Sequence, residues 1–237
     1  LITREITLTY HELQTQVDDL ALRLRGSGLQ TGDVVGVMVS RGLALPVCLL
    51  AVLRAGGIYL PLDSVLPPAR IEFLVADGKV SRILTETALL NRCPVGPTLL
   101  QWDENFSAYT VVADFAATLP RLRPTDPAYL IYTSGSTGQP KGVLVSHGAF
   151  ANTATNQARL LGLAPGERTL QFSNSSFDAS IFEILGTLLT GAALVSGPSE
   201  VLVDPAALPG FLREQHVTFA VLPPSFLRSL DRTELPL

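Results

Sequence analysis

The sequence predicts an α/β protein built on mostly parallel sheets flanked by helices, and three observations lead there. Short apolar runs rich in Val, Ile, Leu and Thr recur along the chain, and between them the apolar residues fall at helical spacing. Strands alternating with helices in this way are joined by crossovers, which pair the strands in parallel and cover both faces of the sheet. Of 237 residues, 47% are hydrophobic and 16% charged, which is ample for a large buried core.

The elements follow in order. Thr9 with Glu12 reads as a capping box, and Leu13, Val17, Leu20 and Leu24 then recur at helical spacing until Gly26 and Gly28 stop the run. Thr31 to Asp33 is a turn ahead of a buried strand from Val34 to Val39. Gly42 to Ala55 reads as a buried helix with Pro46 near its first turn, and Gly56 and Gly57 let its end pack closely on the sheet. A Pro-initiated helix runs from Pro67 to Gly78, and Arg82 to Thr85 and Thr98 to Trp102 are strands with a polar, helix-like stretch between them. Residues 103–127 are less patterned and suit a connection between subdomains, dividing the chain at about 122/123.

Beyond that point, Ala128 to Tyr132 and Val143 to Val145 read as strands, and Ser146 caps a helix from about His147 to Leu161. Arg168 to Ser173 is another strand. Ser180 with Glu183 matches a second capping box, which would start a helix at Ile181 and leave Asp178 just ahead of it, where α/β sheets place ligand groups.

Whole-chain properties exclude several functions. A net charge of −4 without Lys/Arg clusters argues against nucleic acid or an anionic membrane as partner. The most apolar window, Leu43 to Leu53, is too short to span a bilayer, and no basic region precedes an apolar core at the N-terminus, so the default location is cytoplasmic. Cys48 and Cys93 lack metal or disulfide spacing, and His11, His147 and His216 are scattered.

The informative stretch is AYLIYTSGSTGQPKG, Ala128 to Gly142. A buried strand breaks into Thr, Ser and Gly only. Gly135 and Gly138 permit positive φ and close backbone approach, Thr133, Ser134, Ser136 and Thr137 add hydroxyl donors, and Lys141 supplies a point charge. Such a loop suits a polyphosphate. It is not the GxxxxGK loop followed by Ser or Thr, because Pro140 stands where that pattern needs Gly and Gly142 where it needs the hydroxyl. A carboxylate at Asp178, beside a cap already formed by Ser180 and Glu183, would suit an ammonium group.

The string YTSGSTGQPKG resembles the phosphate loop of acyl-adenylate-forming enzymes, and specifically of nonribosomal peptide synthetase adenylation domains. Three further stretches match in order and spacing: LTYHEL at 8–13, LRAGGIYLPLD at 53–63 and FDAS at 177–180. The resemblance implies the front part of the layered αβαβα N-terminal subdomain, incomplete at 237 residues. It also implies ATP-dependent formation of an aminoacyl adenylate with release of pyrophosphate. In that correspondence Asp178 binds the α-amino group, while Phe177, Ala179, Phe182 and Ser225 line the side-chain pocket, whose visible part carries no charge and suits an apolar amino acid. Lys141 is then catalytic.

Other implied components lie outside the chain. They are the stretch that stacks on adenine and supplies the Glu for Mg²⁺, the ribose-binding Asp, and the C-terminal subdomain with a second Lys. No metal ligand is expected within residues 1–237, and the segment by itself is expected to be inactive. The adenylate would pass to the phosphopantetheine thiol of a carrier domain, in a synthetase that also holds a condensation domain. Two other readings stay open at this stage: an acyl- or aryl-acid ligase of the same superfamily, and a non-catalytic subdomain acting as scaffold.

Overall fold

The computed structural model describes residues 1–102, 118–134, 140–231 and 235. These fall into two compact units, one formed by residues 12–40 and 44–151 and the other by 1–11, 41–43 and 152–237.

The first unit begins with α1 (Tyr10–Gly26), whose buried stripe is Leu13, Val17, Leu20, Ala21 and Leu24. Its sheet has the order β4-β3-β1-β2-β5-β6. Strands β1 (Val34–Met38), β2 (Ile58–Pro61), β3 (Arg82–Glu86) and β4 (Thr98–Trp102) pair in parallel, and β2 also pairs in parallel with β5 (Pro127–Thr133). Strand β6 (Lys141–Ser146) is the exception, running antiparallel to β5 along the edge. The strands on either side of the Thr/Ser/Gly loop therefore form a hairpin and share one sheet with the N-terminal strands.

Helix α2 (Ala44–Arg54) is buried on nearly every side, as an all-apolar helix must be. Its end meets the sheet as anticipated: Gly56 has φ +82°, and a Cβ at Gly57 would lie 3.1 Å from Val52 and 3.2 Å from Val35. Helix α3 (Pro68–Asp77) packs Ile71, Leu74 and Val75 with Met38, Leu60, Leu62 and Ile83 in one core cluster. The stretch between β3 and β4 is 3₁₀ at 87–92. Helix α4 (His147–Leu160) starts where expected, and the Ser146 hydroxyl accepts from the Ala149 N–H at 3.3 Å.

The second unit is built on two parallel strands, β7 (Arg168–Gln171) and β8 (Ala193–Ser196), with bridges from Ile2 to Val195 and from Phe219 to Thr169. Helix α5 (Asp178–Leu189) packs against both strands. The short helices α6 (Ser199–Leu202), α7 (Leu208–Glu214) and α8 (Pro224–Leu227) follow. Leu170, Val195, Leu208, Phe211, Leu212 and Val217 centre its core. Among the described residues no helix is long and apolar enough to cross a membrane.

Candidate functional site

In the first unit, β5 and β6 flank the loop that the sequence predicts to bind phosphate. Thr133 and Lys141 are register partners at the loop end of this hairpin. Thr133, Ser134 and Lys141 are exposed, and among the described residues nothing pairs with the Lys141 ammonium. Gly135, Ser136, Thr137 and Gly138 lie outside the described residues. The hairpin is anchored by Tyr132, whose hydroxyl donates to Asp77 at 2.5 Å and whose ring meets Phe73 edge-on. Burial and Asp77 both push that hydroxyl above its ordinary pKa, so it stays a donor. Opposite Tyr132 stands Gly142, where a Cβ would lie 2.9 Å from Leu130 and 3.2 Å from the Tyr132 ring. A side chain there would push Tyr132 off its anchor. Sequence reading found the loop but not this support, because Asp77 is distant in the chain.

In the second unit, the connector 172–177 leads from β7 into α5. The capping-box expectation is corrected here. Helix α5 starts at Asp178, its N-cap Phe177 makes no side-chain cap bond, and Asp178 is in the first turn. Ser180 donates its hydroxyl backward, to Phe177 O at 2.7 Å and Ser175 O at 3.3 Å. Glu183 caps nothing. It is fully buried, and its carboxylate accepts from Phe172 N at 3.1 Å, from Ser173 N at 2.9 and 3.1 Å, and from the Ser173 hydroxyl at 2.7 Å. The pattern matched because Ser and Glu stand at the right spacing, but from Ser180 to Thr187 every residue of α5 except Phe182 is buried, and Glu183 is buried with them, beside Ser180, Gly186 and Thr187 on its own face.

Burial pushes the Glu183 carboxyl up to about 7, and the Ser173 and Phe172 donors and the Arg41 guanidinium act against it. Arg41 donates to Gln171 O at 2.7 Å, and burial lowers its own pKa while Glu183 raises it. Gln171 donates through Nε2 to Ser173 O at 2.9 Å and accepts from Ser196 at 3.3 Å. None of Glu183, Arg41 or Gln171 was singled out from the sequence for this role. A lone Glu within the otherwise uncharged run Ala179–Leu189 was the available signal.

Of the sequence-predicted substrate residues, Phe177 immediately precedes α5, Asp178, Ala179 and Phe182 lie within its first five residues, and Ser225 is on α8. Asp178 and Phe177 are exposed, Phe177 at 62%, and Ala179 and Phe182 are half-buried. Among the described residues nothing bonds the Asp178 carboxylate. The Phe182 ring lies over Gly186, where a Cβ would approach it to 2.6 Å. Ser225 is exposed on α8, and its neighbour Phe226 meets Phe172 with ring centroids 5.1 Å apart, which brings α8 to the connector. No group of His, Cys, Asp and Glu among the described residues is placed to hold a metal ion.

The model of the AMP-binding enzyme family matches residues 1–236. The chain belongs to that family. It is similar, at 39% identity over 99% of its length, to bacitracin synthase 3 of Bacillus licheniformis, of which it covers 4%. Among solved structures it superposes on the nonribosomal peptide synthetase FmoA3, bound to α-methyl-L-serine-AMP, with a TM-score of 0.85 and 34% identity over 96% of this chain and 25% of that one. It superposes on the N-terminal subdomain of Klebsiella oxytoca NpsA, in complex with 3-hydroxyanthranilyl-AMSN, at 0.81 and 30% over 93% and 55%. The chain therefore matches the N-terminal portion of a nonribosomal peptide synthetase adenylation domain and spans only a part of the relatives it resembles.

Proposed function

We propose that the chain is the phosphate- and amino-acid-binding portion of a module that activates an amino acid with an uncharged, apolar side chain as its aminoacyl adenylate. The observation that carries this reading is Asp178, an exposed carboxylate at the head of α5 with no partner among the described residues. An ammonium group supplies the missing countercharge through a charge-assisted hydrogen bond. The fold alone is neutral on the acid, because the two solved neighbours carry an α-methyl-L-serine adenylate in one case and a hydroxyanthranilyl analogue in the other.

In the reaction, a substrate carboxylate oxygen bonds to the α-phosphorus of ATP, and the bond from that phosphorus to the bridging oxygen breaks. Pyrophosphate leaves with the electron pair. The carboxylate is a poor nucleophile and negative charge accumulates, so catalysis rests on positioning and on donors aimed at phosphate oxygens. Lys141 and the hydroxyls of Thr133 and Ser134, with those of the loop beyond, hold the β- and γ-phosphates. Asp178 holds the amino end of the acid, and Phe177, Ala179, Phe182 and Ser225 line its side-chain pocket. Mg²⁺ would neutralise phosphate charge, through a Glu expected outside residues 1–237. The product passes to the phosphopantetheine thiol of a carrier domain, within a synthetase that also holds condensation and C-terminal adenylation parts. Residues 1–237 supply the phosphate, ammonium and side-chain-pocket contacts, and by themselves are expected not to turn over.

ATP–pyrophosphate exchange by the longest natural polypeptide that contains this chain tests the reading, against a panel of amino, aryl and fatty acids. Exchange with an apolar amino acid supports it. Exchange only with acids lacking an amino group returns Asp178 to a helix-end role.

A further inference from the structure

We propose that Glu183 is a positioning residue for amino-acid binding: it ties the exit of β7 to α5 and so fixes the connector that delivers Asp178. The inference rests on the reading of Asp178 given above.

A carboxylate buried in a helix packed on nearly every side is costly unless it is well satisfied, and an apolar residue of similar size would serve the core at least as well. Glu183 is satisfied, but by donors outside its own helix. Phe172 N, Ser173 N and the Ser173 hydroxyl all belong to the start of the connector. Ser173 is held from a second direction, since the Gln171 amide donates to Ser173 O, and Gln171 O in turn accepts from Arg41. At the far end the Ser180 hydroxyl holds Phe177 O, and within the connector Ser176 N donates to the Asn174 side chain at 2.8 Å. The segment is thus clamped at its start by Glu183 and at its end by Ser180, both on α5.

Asp178 itself has no hydrogen bond among the described residues, so its location is set by its backbone alone. That backbone follows directly from the clamped segment. Removing the Glu183 carboxylate leaves two half-buried backbone N–H groups without an acceptor, and the connector must shift to solvate them. A shift of this kind moves the ammonium-binding oxygen while leaving the hairpin that bears Lys141 untouched, because the clamp lies wholly in the other unit.

The test uses the longest natural polypeptide containing this chain, with the variants Glu183→Ala, Glu183→Gln and Asp178→Ala. KM for the preferred amino acid and KM for ATP are measured by pyrophosphate exchange, and hydrogen exchange of the 172–178 amides is followed by mass spectrometry. Glu183→Ala is expected to raise the amino-acid KM about tenfold or more with the ATP KM within about twofold of wild type. It should also speed exchange of the Phe172 and Ser173 amides. Glu183→Gln keeps the shape and one acceptor oxygen, so it should fall between, and it carries the comparison if the Ala variant does not fold. Equal rises in both KM values, or unchanged amide exchange, overturn the proposal. If Asp178→Ala raises the amino-acid KM and neither Glu183 variant does, positioning is refuted while the Asp178 assignment stands. If none of the three does, the Asp178 assignment has failed and the positioning role falls with it.

Discussion

Replacing Glu183 by Gln should change how stability depends on pH, in a direction set by burial. The carboxyl is raised from 4.5 to about 7 in the folded protein, with burial as the largest cause. A carboxyl whose folded pKa is raised favours folding in its neutral form, so its contribution is fully present below the unfolded pKa and is lost as pH rises through the folded one. The window here runs from 4.5 to about 7. The shift corresponds to on the order of 3 kcal/mol. Gln has nearly the same shape and does not titrate, and the other ionisable groups are common to both proteins. Denaturant unfolding at about pH 5 and about pH 8 should therefore show the Gln variant gaining, relative to wild type, up to that amount on going to the higher pH. Parallel pH profiles would refute the reasoning, for they would mean that Arg41 and the three donors already offset the burial of the charge.

Three further outcomes are expected of the longer polypeptide. Asp178→Asn should raise the amino-acid KM strongly while nucleotide binding, measured by ATP titration, stays near wild type; equal loss of both would count against the ammonium role. Lys141→Ala should lower kcat by the equivalent of about 2–4 kcal/mol if it stabilises charge on the departing phosphates in a dry site, and single-turnover adenylation would detect this. Gly186→Ala places a Cβ 2.6 Å from the Phe182 ring. Displacing that ring should cost about 1–3 kcal/mol in thermal unfolding and alter the preference among apolar amino acids, whereas an unchanged preference would remove Phe182 from the pocket.

The strands were legible because buried parallel strands are continuous apolar runs, as in VVGVM and RILTE, and the helices because Gly and Pro punctuate them. What escaped the sequence depends on distance along the chain. The bond from Arg41 to Gln171 O spans 130 residues and that from Tyr132 to Asp77 spans 55, and no local pattern encodes either. The direction of β6 also escaped, since an apolar run states that a strand exists and not which way its neighbour points. The start of α5 was misplaced for a different reason. Ser180 and Glu183 have the spacing of a capping box, but a box needs both groups free to turn toward the helix end, and the apolar neighbours of Glu183 take it into the core.

That misplacement changes why Asp178 matters. From the sequence, the carboxylate is spare because Ser180 and Glu183 form a cap without it. In the structure no side chain caps α5, and Asp178 occupies the first turn, where an exposed anion gains about 0.3–1 kcal/mol from the helix dipole. A helix-end role is therefore real and small. Pairing with an ammonium exceeds this only where the bound substrate takes the exposed carboxylate out of water, for truncating one partner of a buried, hydrogen-bonded charge pair costs about 2–5 kcal/mol against about 0–1 kcal/mol for an exposed one. The two roles separate by observable as well as by size, since the first acts on unfolding and the second on the amino-acid KM. The same dipole that favours the carboxylate in the empty site weakens it as an acceptor for the ammonium. Selection for a binding role would then have to hold the carboxylate in place by means other than its own hydrogen bonds, and the buried clamp of Glu183, Ser173 and Arg41 on the connector behind it is placed to do that.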